Sequence, residues 1–297
     1  MNIFLTGATG LVGRRLTQVL LAKNHRLTAL TRSPEKAKAI LPPLVELQNS
    51  LTQHRAFDQF DAVINLAGEP IFAKSWTVAQ KEKLTRSRVQ LTSRLAELIN
   101  QSENPPHTFI SGSATGYYGN RNATMLTEEH PPAESFTGRL CRQWEQAALA
   151  ARSRVCLLRT GMVWSENGGA LAKMLPLYRL GLGGKLGSGR QYWAWIHIDD
   201  MVNAILWLLE HPQCQGAFNL TAPRPVQNGD FNRLLGKALC RPACCAVPEP
   251  MLKGILGERA AIILDSQNAV PHKLLSQGFT FQFDNAESAI LSLLRRK

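Results

Sequence analysis

The sequence predicts an α/β fold: a doubly wound parallel sheet followed by a small, mostly helical C-terminal lobe. Three observations predict it. Short apolar runs alternate with amphipathic helical stretches up to residue 160, the pattern of a parallel sheet covered on both faces. A glycine-rich turn joins the first run to the first helix. After residue 160 the rhythm breaks, and GLGGKLGSGR at 181 to 190 leads into segments that are mostly helical.

The elements follow in order. NIFLT is a first strand, and LVGRRLTQVLLAK places residues 11, 12, 16, 19 and 20 on one helical face. RLTALTR (26 to 32) is a second strand, SPEKAKAIL a short helix with Pro34 in its first turn, and LVELQ (44 to 48) a third strand. DAVINLAG is the fourth, followed by one long helix over 78 to 100. HTFISGS (107 to 113) is the fifth, a helix covers 137 to 151, and SRVCLLRT (153 to 160) is the sixth. Beyond it come WAWIHIDD, with Asp199 or Asp200 as the cap of the helix MVNAILWLLE, and the short strand GAFNLTA. Residues 1–160 therefore form the main domain. Residues 161–297 form a lobe over the carboxyl edge of the sheet, with some strands returning to the main domain.

Composition narrows the partners. The net charge is +12, but its 34 lysines and arginines are spread along the chain without aromatic interleaving or a basic tail. That pattern points to an anionic small ligand and not to nucleic acid. No apolar run reaches the ~18 residues that span a bilayer, and the first strand starts at residue 2, so no membrane role and a cytoplasmic location are expected. The six cysteines are then reduced and structural. CRPACC at 240 to 245 has no second pair or nearby histidine to complete a zinc site, so no metal is expected.

Gly7, Gly10 and Gly13 lie between a strand and a helix, where a tight turn and a helix N-terminus receive the pyrophosphate of a dinucleotide. Thr9, Leu11 and Val12 fill the same turn. An acidic residue ~20 positions later would grip the ribose of NAD, yet the first acidic residue in the chain is Glu35. The second strand ends instead in Thr31 and Arg32, with Arg14 and Arg15 nearby in sequence to the turn. A guanidinium there suits a 2′-phosphate, so the expected cofactor is NADP(H).

TGATGLVG, NLAG at 65 to 68, SGSATGYYG at 111 to 119 and WIHIDD at 195 to 200 together resemble the extended short-chain dehydrogenase/reductase superfamily of epimerases and dehydratases. With NLAGEPI, SRVQLTSRL, CRQWE, LRTGMVWSENGGAL and VPEPMLKGILGE, the match over nearly the whole chain is to its atypical "epimerase family protein" group. The resemblance implies a Rossmann-type domain binding NADP(H), a C-terminal substrate lobe and a monomer or homodimer. It also implies that Leu66, Ala67 and Gly68 line the adenosine side, that Arg88 reaches the cofactor from the long helix, and that Met162 passes the nicotinamide end.

In that superfamily a tyrosine and a lysine four residues apart support hydride transfer, the ammonium lowering the phenol pKa. With Glu145 as the landmark, those positions fall on Thr137 and Cys141, which cannot do this work. Ser113 matches the substrate-orienting serine. Candidate replacements for the acid/base group are Tyr117 and Tyr118 in the following loop and Glu69, which follows NLAG and is expected beside the nicotinamide with a raised pKa. His197 reads as structural, while Trp193 and Trp195 line either a substrate pocket beneath a glycine-rich lid or the core. Two functions follow: an NADP(H)-dependent oxidoreductase or epimerase-like enzyme on a small polar substrate, or an NADP(H)-binding sensor or partner-binding protein without turnover.

Overall fold

The structure is a computed structural model that describes residues 1–295. Seven parallel strands among the described residues form the central sheet: β1 (Asn2–Thr6), β2 (Arg26–Leu30), β3 (Glu46–Gln48), β4 (Ala62–Asn65), β5 (Thr108–Ala114), and then β7 (Arg154–Thr160) and β11 (Gly216–Leu220), reached after the short β6 (Met125–Leu126), β8 (Met162–Trp164), β9 (Tyr192–Trp193) and β10 (Trp195–His197). The spatial order is β11-β7-β5-β4-β1-β2-β3. The direction of winding reverses between β1 and β4, and a crevice opens at the carboxyl ends of strands there.

Alternate residues of each strand point to opposite faces, and both faces are apolar. Ile3, Leu5, Ile64, Ile110 and Leu158 pack on one side against Leu16 and Leu20 of α1 (Leu11–Ala22) and against the later helix Ile198–Glu210. Phe4, Val63, Phe109 and Leu157 pack on the other side against Leu95, Leu98 and Ile99. This is the burial expected of a parallel sheet between two helical layers. After α2 (Pro34–Lys38) come α3 (Val78–Thr85) and α4 (Leu91–Asn100), the long helix expected from sequence. They are joined through one π-helical turn, Arg86–Gln90, an irregularity that is frequent at functional sites.

The helix α5 (Phe136–Leu149) is capped by the Ser135 hydroxyl, which accepts from the Gly138 N–H. Its buried residues Cys141, Trp144, Glu145 and Ala148 recur at helical spacing and face the sheet. The chain then adds α6 (Gly169–Arg179), α7 (Ile198–Glu210), α8 (Asn228–Leu239) and α9 (Glu249–Leu256), with β12 (Val226–Gln227) pairing β9 and β13 (Asn268–Ala269) pairing β6. Among these, α7 packs on α1 and β11 joins the main sheet beside β7.

Two expectations for this region are corrected, and one that was open, for the tryptophans, is resolved. The cap of α7 is His197, whose Nδ1 accepts from the Asp199 N–H, and the helix starts ahead of both aspartates, at Ile198. His197 is fully buried against Phe283, consistent with a structural part. Trp195 is stacked on Trp164 with ring centroids 4.2 Å apart, and both belong with Trp193 and Phe231 to an apolar cluster, so the tryptophans are core. The glycine-rich segment is no loose lid, because a Cβ on Gly184 would lie 1.8 Å from the Cys245 carbonyl oxygen. Its glycines let it pack against the CRPACC stretch.

Candidate functional site

At the crevice, a cleft of about 340 Å³ is lined by Gly7, Gly10, Leu11, Val12 and Gly13 from the first turn and by Leu66 after β4. Gly112 and Ser113 of β5, Trp144 of α5, Thr160, Met162 and Val163 after β7, Gly169, Ala170 and Met201 complete it. The glycines are required. Gly7 has φ +75°, and a Cβ there would lie 2.6 Å from the Leu66 backbone, so only glycine lets this turn approach the end of β4. A Cβ on Gly13 would meet the Gly7 carbonyl oxygen at 2.1 Å, which would lift the helix off the turn. Gly10 is the cap of α1 and brings no side chain to it, and the first turn carries no acidic residue. The helix thus presents bare N–H groups and its positive end to the cleft, the arrangement that takes an anion.

Thr9 sits half-buried between Gly7 and Gly10. Thr31 is tied by its N–H to Gln48, and its hydroxyl accepts from the Ser33 N–H. Arg32, 90% exposed, stands at the end of β2 with its guanidinium 3.8 Å from Glu69. Ala67 donates its N–H to the Thr6 hydroxyl, which itself bonds Asn65; Asn65 continues to Thr92, and Thr92 accepts from the Trp144 indole. That buried chain links β1, β4, α4 and α5, and it fixes the Trp144 ring over the Gly112 backbone, where a Cβ would be 2.8 Å from the indole.

Arg88 lies in the π-helical turn and folds back over the strand-four loop. Its guanidinium donates to the Glu69 carbonyl at 2.9 Å, lies against Gly68 and sits 5.4 Å from the centre of the Trp144 ring. Burial pulls its pKa below the ordinary arginine value.

Behind Ser113 lies a buried ion pair. Arg159 holds Glu145 through Nε and Nη2, each 2.9 Å from a carboxylate oxygen, and Ser113 Oγ donates to the same carboxylate at 2.7 Å. The other guanidinium nitrogen donates to the Tyr118 hydroxyl and the Glu128 carbonyl. Burial works against the Arg159 charge, but the hydrogen bonds and charge of Glu145 outweigh it and raise the pKa above the usual arginine value.

A second cavity, of about 610 Å³, opens at the N-terminal turn of α5. Trp76, Asn120, Ser135, Phe136 and Thr137 form one wall, and residues of α9 and of the segment 257 to 265 form the other.

Comparison with known proteins agrees with this geometry. Residues 3–221 match the model of the NAD dependent epimerase/dehydratase family, and residues 247–293 match a domain of unknown function, DUF1731. The chain belongs to the NAD-dependent epimerase/dehydratase family. This epimerase-family chain is 39% identical over 99% of its length to the "Epimerase family protein SDR39U1 homolog, chloroplastic" of Arabidopsis thaliana, covering 87% of that protein. The human epimerase family protein SDR39U1, solved with NADPH, superposes with a TM-score of 0.91 at 30% identity, each chain wholly covered. A nucleoside-diphosphate sugar epimerase from Corynebacterium glutamicum superposes at 0.78 with 32% identity, over 99% of this chain and 58% of that one.

Within this epimerase-family fold, the residues expected to do acid/base work are arranged differently from the sequence expectation. Glu69 is turned toward β2, where Lys83 at 3.3 Å and Arg32 at 3.8 Å pair its carboxylate, and it does not line the cleft. Two cations, not an apolar nicotinamide pocket, surround it. Tyr118 is fully buried, and its hydroxyl donates to Asn219 at 2.6 Å while accepting from Arg159, so it is committed to the framework. Burial raises its pKa to about 12. Tyr117 is half-buried, with the Arg159 guanidinium 3.6 Å from its ring centre, and burial raises its pKa as well. Neither tyrosine lines the cleft. Cys141 is buried between Ser113, Glu145 and Arg88, and its thiol is pushed up to about 12, first by burial and then by the Glu145 charge.

The sequence reading missed Trp144, although it follows Cys141 and precedes Glu145 on the same helical face, and that spacing could have found it. It also missed the wall of the second cavity contributed by residues 249 to 265, although VPEPMLKGILGE, which carries part of the family resemblance, supplies Glu249, Lys253, Gly257 and Glu258 to it.

Proposed function

We propose that this chain binds NADP(H) and acts as an oxidoreductase or epimerase-like enzyme on a small polar substrate. One observation carries the reading: a single face of α5 runs from the glycine cleft, lined by Trp144, past Glu145 and Cys141 to Thr137 in the wall of the second cavity. A cofactor cleft and a substrate-sized chamber thus share one wall. We take residues 1–160 as the cofactor domain and 161–297 as a substrate lobe interleaved with it through β11.

The residues present fit the cofactor. The bare N-terminus of α1 would hold the pyrophosphate, exposed Arg32 the 2′-phosphate, and Arg88, lying beside Gly68 and Trp144, the ribose side. The NADPH bound to the human relative supports the same choice. Bound NADP(H) supplies hydride-transfer chemistry. Because the Ser113 hydroxyl donates its hydrogen bond to Glu145, its oxygen offers lone pairs to the cleft and would orient a substrate hydroxyl by accepting from it.

A second reading, a cofactor-binding protein without turnover, is favoured by Cys141. A buried, protonated thiol stands where the resemblance places a lysine. Titration by intrinsic tryptophan fluorescence, followed by assays of NADPH oxidation and of epimerisation, which regenerates the cofactor, against a panel of small aldehydes, ketones and sugars, tests both. Tight NADPH binding with turnover supports the enzyme. Tight binding with none across the panel supports the second reading, and tighter binding of NADH than of NADPH overturns the cofactor assignment.

A further inference from the structure

We propose that the second cavity is a substrate chamber for a small molecule that presents hydroxyl or ammonium donors and carries no phosphate. The proposal rests on the enzyme reading above and specifies its substrate class.

Most of the charges at this cavity are already committed to one another. Three carboxylates line the cavity, Glu249, Glu258 and Asp265, against one lysine, Lys253. Lys253 is bound to Glu249 at 2.7 Å, and Lys81, from outside the lining, is bound to Glu258 at 2.6 Å. The nearby Arg259 points to the Phe72 and Leu256 carbonyls. Both lysines are therefore held by carboxylates, and Arg259, which does not line the cavity, is held by carbonyls, so Asp265 is the lining carboxylate that no cation meets. Among the described residues its carboxylate has neither an ion pair nor a hydrogen bond, and burial alone raises its pKa. A nucleoside diphosphate needs uncommitted guanidinium, ammonium or N–H groups, and would have to break two ion pairs beside a carboxylate to find them.

The remaining walls suit a compact amphipathic molecule. Trp76 and Phe136 meet edge to face at 5.1 Å and offer an aromatic surface, while Asn120, Ser135 and Thr137 provide short polar groups on the same wall. A polyhydroxylated or amine-bearing molecule can lay its apolar side on the rings and direct donors at Asp265.

Trp76 reports on the cavity directly. Collisional quenching by caesium and by iodide is measured with NADPH bound, and the difference between the wild type and Trp76→Phe isolates the Trp76 emission. Caesium should quench it roughly twofold better than iodide, because the Asp265 carboxylate lines the cavity while Arg259, the cation without a carboxylate, does not. Asp265→Asn should remove most of that preference. UDP-glucose at millimolar concentration should leave the Trp76 emission unchanged. Equal quenching by the two ions, a preference for iodide, or a saturable response to UDP-glucose overturns the proposal. NADPH binding is read separately from nicotinamide emission, so its failure would count against the cofactor reading and not against the charge of the cavity.

Discussion

Ser113 and Glu145, on β5 and α5, are joined by a hydrogen bond of 2.7 Å in which the serine donates, and Arg159 locks the accepting carboxylate in a buried fork. The relationship makes Ser113 an oriented oxygen at the cleft, held by a charge pair that is itself out of water. Breaking the pair from one side should be costly. Arg159→Leu leaves a buried carboxylate alone and is expected to destabilise the fold by about 3–5 kcal/mol. Ser113→Ala removes one charge-assisted hydrogen bond and should cost only about 1–3 kcal/mol, with NADPH affinity unchanged. Urea unfolding curves separate the two, and a cost for Arg159→Leu no larger than for Ser113→Ala would refute the idea that the pair anchors the serine.

Arg32 should decide between the two nicotinamide cofactors. Arg32→Ser is expected to weaken NADPH binding by about 10–100-fold, the worth of one charge-assisted phosphate contact, while leaving NADH binding unchanged. Glu69 competes for the same guanidinium, and with Arg32 so exposed the contact is worth at most about 1 kcal/mol. Glu69→Gln should therefore tighten NADPH binding by no more than about fivefold. Fluorescence titration of both variants with both cofactors reads these effects; loss of NADH affinity in Arg32→Ser would show that Arg32 holds something other than the 2′-phosphate.

Much of the fold was legible because each buried strand is short, apolar and followed by an amphipathic helix, and the glycine turn announces itself by spacing. The site was legible only where it is local. Gly7, Gly10, Gly13, Leu66 and Ser113 line the cleft, since the glycines form the turn from β1 into α1, Leu66 follows β4 and Ser113 stands near the end of β5. Glu69 was misjudged because its surroundings come from Arg32 and Lys83, far away in sequence, and no pattern around NLAG reveals them. Trp193 and Trp195 were ambiguous for the same reason, because stacking on Trp164 is a tertiary fact. Asp265 has no motif at all and gains significance only from the cavity it lines.

Cysteine reactivity should divide sharply. Cys141 and Cys156 are buried with thiols pushed up to about 12 and about 11, burial being the main cause in each, and Cys214 is buried and shifted upward too. Cys240, Cys244 and Cys245 are exposed. Only thiolates are alkylated, so iodoacetamide on the native protein at mildly alkaline pH should label the three exposed cysteines and spare the others. Mass spectrometry of the digested protein gives the answer. Labelling of Cys141 as fast as Cys240 would mean that its thiol is accessible and reactive, which would reopen the case for a chemical role on α5.

Stability should fall as the solution is acidified, and His54 should account for part of the loss. Its ring packs among Phe4, Phe57 and Phe60, Nε2 lies 2.7 Å from the Gln48 side-chain oxygen, and Nδ1 lies 3.2 Å from the Gln59 amide nitrogen. That pattern suits a neutral ring that donates from Nε2 and accepts at Nδ1. Burial lowers its pKa below 6.5, outweighing the Glu46 charge that opposes it. Burial acts in the same direction on His25 and His107. Between the depressed folded value and 6.5 the unfolded chain binds the proton and the folded chain does not, so protonation favours unfolding in that window. The stabilisation is complete above 6.5 and is lost as the pH falls through the window. Melting temperatures measured from neutral pH down to about pH 5 should therefore decline in the wild type, and less steeply in His54→Gln. An identical slope in the two proteins would show that His54 protonates as readily in the fold as outside it.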